Sequence, residues 1–225
     1  VQTIGGGGGV AGAIGGIASF GGLGQGNRSA GAINLTIDNQ VGSGGSNAPG
    51  LLAQTIGGGG GSVDSVAGNF SAGRSSLLPN TGNTSAGNLD LSINTSARVF
   101  SLGAVSPGLI AQTIGGGGGF AASTSGTVQL GAGGSGTLNA DASAGAITWT
   151  NAARGTQTVV TDEEIITSTI SGIATSGDLS PAVVLQSIGG GGGYTTGGTS
   201  VSFSAAGHAG SSTSAGAITA TNSGV

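Results

Sequence analysis

The tightest constraint on this chain is a run of five glycines that occurs four times, each time behind the same residues. Gln2-Thr3-Ile4 leads into Gly5 to Gly9; the octet returns unchanged at residues 54–61 and 112–119, and with serine for threonine at 186–193. Five glycines offer no side chain to a core and form a random coil in isolation. Three readings are open: a flexible linker, an anion cradle of backbone amides, or packed backbone in an extended, polyproline-II-like or strand conformation. A linker has no reason to keep one length behind one apolar strand. An anion loop would need the lysine or the following helix of a phosphate-binding motif. Packed backbone is therefore the expectation, and its N–H and C=O groups must then pair with backbone of neighbouring coils or chains.

The octet belongs to a longer repeat. A proline block begins at Pro49, Pro107 and Pro181, just upstream of the last three octets. Downstream, a second block of the type Ser-Ala-Gly-Ala-Ile begins at Ser29, Ser85, Ser143 and Ser214, which is 27, 31, 31 and 28 residues after the glutamine. Two blocks in fixed order, four times over, define a repeat array. Its approximate units are 1–48, 49–106, 107–180 and 181–225. Successive glutamines are 52, 58 and 74 residues apart, so the third unit carries roughly 16 to 18 extra residues, around 155–175. That is about the length of one added solenoid coil, and it holds the only acidic cluster, Asp162, Glu163 and Glu164.

The second block opens an alternation: Ile33, Leu35 and Ile37 against Asn34, Thr36 and Asp38, repeated at Leu89, Leu91 and Ile93 and again at Ile147 and Trp149. Period two with polar residues between describes a half-buried strand. Leu51, Leu52 and Ile56, with their equivalents, predict a second strand running into the glycines. Residues 128–130 and 201–203 predict a third in the later units. No segment has a helical period, and Gly, Ser and Thr would penalise helix at almost every turn. Val, Ile, Leu and Phe make up only about a fifth of the residues, too few for a thick round core. The expected fold is all-β: an elongated parallel β-solenoid (β-helix) with ordered polyglycine segments. The alternative is a polyglycine-II-type bundle combined with β-sheet.

The same composition removes most chemistry. The 225 residues include 53 glycines, no cysteine and no lysine, with eight acids, four arginines and one histidine. Lysine-dependent phosphate or Schiff-base chemistry, disulfides and thiolate metal sites are excluded. A net charge of −4 without a basic patch argues against nucleic acid. His208 stands among Ala and Gly with no nucleophile motif nearby. Asp162–Glu164 read as a solvated loop, with a hard cation or sugar hydroxyl as the alternative. Calcium-binding nonapeptide repeats do not occur. Trp149 and Tyr194 are candidates for stacking on a glycan, although Trp149, in an alternating strand, reads as core or interface. Thr-x-Thr pairs at 148/150, 156/158 and 219/221 suggest a flat ice-binding face, yet Thr is common in strands. Five Asn-x-Ser/Thr sequons, from Asn27, Asn34, Asn69, Asn83 and Asn94, are expected in so Ser/Thr-rich a chain. The uncharged first 27 residues are too glycine-rich for a membrane helix.

The octets, the stretch from Thr175 to Pro181 and the stretch from Ala217 to Gly224 together resemble the repeats of very large bacterial autotransporter-like surface proteins. Their characteristic phrase, Ala-Gln-Ser-Ile and five glycines, is matched most closely at Gln186-Ser187-Ile188-Gly189. The resemblance covers all four units. It implies a parallel β-helical passenger exported to the surface of a Gram-negative bacterium, acting as an adhesin or fibre. The family's signal peptide and C-terminal membrane barrel are not in this sequence, which reads as a window of a longer protein or a processed subunit.

A non-catalytic extracellular filament or adhesin stalk is therefore expected, without cofactor, metal or small-molecule substrate. Its partner would be itself, head to tail, or the continuation of a longer chain; the alternative is a binding module for a surface glycan or ice. The residues expected to carry stacking and assembly are the glutamine, the isoleucine and the outer glycines of each octet. These are Gln2, Ile4, Gly5 and Gly9; Gln54, Ile56, Gly57 and Gly61; Gln112, Ile114, Gly115 and Gly119; and Gln186, Ile188, Gly189 and Gly193.

Overall fold

The computed structural model describes residues 1–12, 15–20, 27–73, 82–122, 125–131, 141–160, 165–196, 200–204 and 213–223. Their regular structure is strand alone, with no helix among the described residues. Five sheets are parallel, and each takes one strand from successive repeats. The glutamine sheet contains Gln2–Ile4, Leu51–Ile56, Leu109–Ile114 and Val183–Ile188. The glycine sheet contains Gly8–Ala11, Gly60–Val63, Gly118–Ala121 and Gly192–Thr195. A third sheet holds Ile17–Phe20, Asn69–Ala72, Thr127–Gly131 and Ser200–Ser204. The second-block sheet holds Ile33–Ile37, Leu89–Ile93, Ile147–Asn151 and Ile218–Asn222. A three-stranded sheet is made of Gln40–Ser43, Arg98–Ser101 and Ile173–Thr175.

Register follows the repeat. Gln54 lies beside Gln2 and Gln112, and Gln112 beside Gln186. Gly118 lies between Gly60 and Gly192, and Ile147 between Leu89 and Ile218. A slip of one residue would turn every inward side chain outward, so the apolar columns hold this alignment. The largest core group joins Leu89, Leu91, Ile93, Ile147 and Trp149 to Ala53, Leu109 and Ala111 of the glutamine sheet and to Val99 and Ile173 of the three-stranded sheet. A second group packs Val63 and Ala121 against Phe70, Val128 and Leu130. A smaller third group gathers Ile110, Phe120 and Ala122. The glutamine sheet touches two of these groups, and Leu109–Ile114 is buried at every position. Burial on both faces is what a parallel strand requires.

Three features depart from the sequence reading. The third strand exists in the first two repeats as well as the later ones. The three-stranded sheet has no counterpart in that reading. The extra residues of the third unit do not form an added coil. Arg154–Val160 and Ile165–Ser171 pair antiparallel with each other and join no parallel sheet. Two Thr-, Val- and Ile-containing segments so close in sequence close a hairpin at small entropic cost. An added coil would need a partner strand in every sheet.

Candidate functional site

The octets meet along the stack in two columns, one of glutamine and one of glycine. Gln54 and Gln112 are fully buried, and a buried amide must be satisfied on both its N–H and C=O sides. Here each is satisfied by its own copies. Gln2 Nε2 donates to Gln54 Oε1 at 2.6 Å, Gln54 Nε2 to Gln112 Oε1, and Gln112 Nε2 to Gln186 Oε1 at 2.5 Å. The ladder has a direction: each amide receives from the repeat before it and gives to the repeat after it.

The next octet residue ties the two repeated blocks together. Thr3, Thr55 and Thr113 each donate Oγ1 to the carbonyl of the second-block glycine, Gly31, Gly87 and Gly145, at 2.8, 2.7 and 2.6 Å. In the fourth repeat Ser187 Oγ donates to Gly145 at 3.0 Å and accepts from Gly216 N at 2.7 Å. The isoleucines complete the strand. Ile56 and Ile114 are fully buried, and Ile4 and Ile188 lie against the Cα of Gly8 and Gly192, where any added Cβ would meet them.

The glycine runs are bonded backbone to backbone. The first glycine extends the glutamine ladder: Gly5, Gly57 and Gly115 donate to the carbonyls of Ile56, Ile114 and Ile188 at 2.8, 2.8 and 2.9 Å. The second turns to the other block: Gly58, Gly116 and Gly190 donate to Arg28, Thr84 and Ala142, each at 3.0 Å. The fourth enters the glycine sheet, with Gly60, Gly118 and Gly192 donating to Gly7, Gly59 and Gly117 at 3.1, 3.2 and 3.1 Å. Side chains are excluded for a steric reason. A Cβ on Gly5, Gly57, Gly115 or Gly189 would overlap the carbonyl oxygen of Arg28, Thr84, Ala142 or Thr213. Gly118 and Gly119, at φ of +152° and +151°, also occupy a region that only glycine adopts freely.

Other candidates take different places. Trp149 is buried in the largest core group, and its indole N–H has no partner among the described residues. It is therefore not available for stacking on a ligand. Tyr194 stacks on Phe120 with ring centroids 6.1 Å apart and planes 8° from parallel; partial burial raises its hydroxyl pKa. Thr148 and Thr150 lie beside Thr219 and Thr221, but the same rows continue into Asp90 and Ser92, then Asn34 and Thr36. The regular threonine array thus spans two strands. Asp162–Glu164 and His208 lie outside the described residues, and so do the side chains of Thr156 and Thr158. Among the described residues no three His, Cys, Asp or Glu side chains come together.

Sequence reasoning singled out the glutamines and glycines but gave no reason for pairing the two blocks; the Thr-to-carbonyl bonds and the first-glycine contacts supply it. In comparisons with known proteins, no family model, curated protein or solved structure matches the chain.

Proposed function

We propose that the chain is a non-catalytic structural element: a parallel β-solenoid with packed polyglycine corners that grows by stacking further coils of its own kind. Those coils come from a second copy bound head to tail or from continuation of one chain. The resemblance of the octets to autotransporter-like surface proteins supports placing this rod outside a Gram-negative cell, as a fibre or adhesin stalk.

The observation that carries the reading is an asymmetry in the glycine column. A Cβ on Gly61, Gly119 or Gly193 would overlap the carbonyl oxygen of Gly9, Gly61 or Gly119, one repeat earlier, whereas a Cβ on Gly9 meets nothing within 4 Å. At the opposite face, Gly60 and Gly118 back onto the Gly118 and Gly192 oxygens, while a Cβ on Gly192 meets only Ile188, at 3.1 Å. Both end faces thus keep the glycine shape that an adjoining coil requires. They also end in strand edges with little charge to repel another strand. Such a contact joins unlike faces, so it propagates instead of closing.

The test uses Gly9→Ala, whose methyl falls in open space within one chain but collides with the glycine carbonyl of an incoming coil. Wild type is expected to form open chains that lengthen with concentration, by sedimentation velocity and electron microscopy. Gly9→Ala should keep the wild-type circular dichroism and remain monomeric. A monodisperse wild-type monomer at all concentrations would overturn self-assembly.

A further inference from the structure

The outer face of the three-stranded sheet differs from the other solvent faces. In the second-block sheet the outward rows are Asn, Asp, Ser and Thr. In Arg98–Ser101 the inward residues Val99 and Ser101 are fully buried, leaving Arg98 and Phe100 on the outside, followed by Leu102, which is 57% exposed. Phe100 lies between Gly42 and Ala174 in register. Glycine at position 42 makes room for the ring: a Cβ there would come within 2.7 Å of Phe100 Cδ1 and Cδ2. Arg98 lies beside Gln40. These side chains, with Thr175 and Ser176, line an open groove of about 330 Å³.

Arg98 is the unusual member. Its Nε is buried and has no hydrogen-bond partner among the described residues. Asp38, two residues before Gln40, takes its bond from Asn94 Nδ2 at 2.5 Å. With Nε closed to solvent, a ligand in the groove meets the outer end of the guanidinium, whose two terminal nitrogens match the two oxygens of a carboxylate. One cation suits a monoanion. The half-buried Phe100 ring and Leu102 supply an apolar shelf, and Gln40 and Ser176 supply polar groups beside it. The groove volume falls at the low end of the range of about 300–1,000 Å³ typical of small-molecule sites.

We propose that this groove binds a carboxylated sugar, a uronic or sialic acid residue of a surface polysaccharide. Arg98 grips the carboxylate, Phe100 faces the C–H side of the ring, and Gln40 and Ser176 meet its hydroxyls. This site is independent of the stacking of coils, because Arg98 and Phe100 belong to an interior strand of their sheet and not to an end face.

The probe is cellobiouronate, a glucuronate–glucose disaccharide, titrated by calorimetry or nuclear magnetic resonance. Cellobiose, which has a hydroxymethyl in place of the carboxylate, acetate and a tetraglutamate peptide are run in parallel. Saturable binding of cellobiouronate is expected, weakened about tenfold or more by removing either the carboxylate or the sugar ring. Arg98→Ala should abolish it. Arg98→Lys should restore only part, since the ammonium keeps the charge without the fork. Phe100→Ala should weaken cellobiouronate and leave acetate unchanged. No saturable binding, equal binding of cellobiose, tighter binding of tetraglutamate, or an unaffected Arg98→Ala that keeps the wild-type circular dichroism would each overturn the proposal. If Arg98→Ala fails to fold, Arg98→Gln replaces it with the same expected loss.

Discussion

The glutamine sheet and the second-block sheet each stack four parallel strands in register, yet they tolerate variation very differently. Every position of Leu109–Ile114 is buried, and the Gln and Thr columns barely change from repeat to repeat. In Leu89–Ile93 and Ile147–Asn151 burial alternates, and the outward rows mix Asn, Asp, Ser and Thr. The difference lies in what each residue bonds. A ladder glutamine is satisfied by another glutamine, so no copy can change without orphaning its neighbours. An outward Thr or Asp is satisfied by water, and an inward Leu by any apolar neighbour of suitable volume. Identity is required where a residue's partner is its own copy; elsewhere character suffices.

The most severe way to break the first of these regions is to add a side chain to the glycine column. Gly118→Val would overlap the Gly192 carbonyl oxygen and place a β-branched residue at a φ of +152°. The expected cost is more than about 4 kcal/mol, because overlap and backbone strain add. Loss of the cooperative thermal transition, or of soluble protein, is the readout. A variant that melts within a few degrees of wild type would show that the column is not close-packed.

Next in size is Gln112→Leu, which keeps the volume but leaves Gln54 Nε2 and Gln186 Oε1 without partners. The orphaned Gln54 amide is fully buried and costs about 1–3 kcal/mol, whereas Gln186 is half-buried and its carbonyl costs less, so a loss of about 2 kcal/mol is expected. Urea denaturation measures it. Exchanging Gln54 and Gln112 for leucine together removes both residues of that central bond; its cost should fall below the sum of the two single changes. Additive costs would mean that the amides do not act as a ladder.

The same contrast explains what the sequence disclosed. Octet and second-block strands were legible because one is held by repeated identity and the other by a period-two alternation. The strands of the three-stranded sheet were not. Gln40–Ser43, Arg98–Ser101 and Ile173–Thr175 share a single inward apolar column, Val41, Val99 and Ile173, and one apolar residue per strand makes no period. The third strand could be read where Val128 and Leu130 alternate, but not in Asn69–Ala72, where Phe70 is the only large apolar residue. The glycines were legible as positions and not as contacts, because what excludes a Cβ at Gly57 is the carbonyl of Thr84, distant in sequence. The Arg98 groove was invisible for the same reason: register alone brings Gln40, Arg98, Phe100 and Ala174 together.

The finest test of the comparison makes one substitution in both regions. Thr113 is fully buried in the glutamine sheet and donates to the Gly145 carbonyl at 2.6 Å. Thr148 is exposed in the second-block sheet, between Asp90 and Thr219. Thr→Val keeps the shape and β-branching at either site, so strand propensity and volume nearly cancel and the hydroxyl is what changes. At Thr113 the loss removes a buried hydrogen bond that ties octet to second block and leaves the Gly145 carbonyl with Ser187 alone, for an expected cost of about 1 kcal/mol. At Thr148 the hydroxyl exchanges water for water, and the stability should stay within about 0.5 kcal/mol of wild type. Chemical denaturation of the two variants side by side gives the difference directly. Equal costs at both positions would mean that the buried bond from octet to second block confers no special requirement, and that the recurrence of the octet threonine has a cause other than the bond it makes.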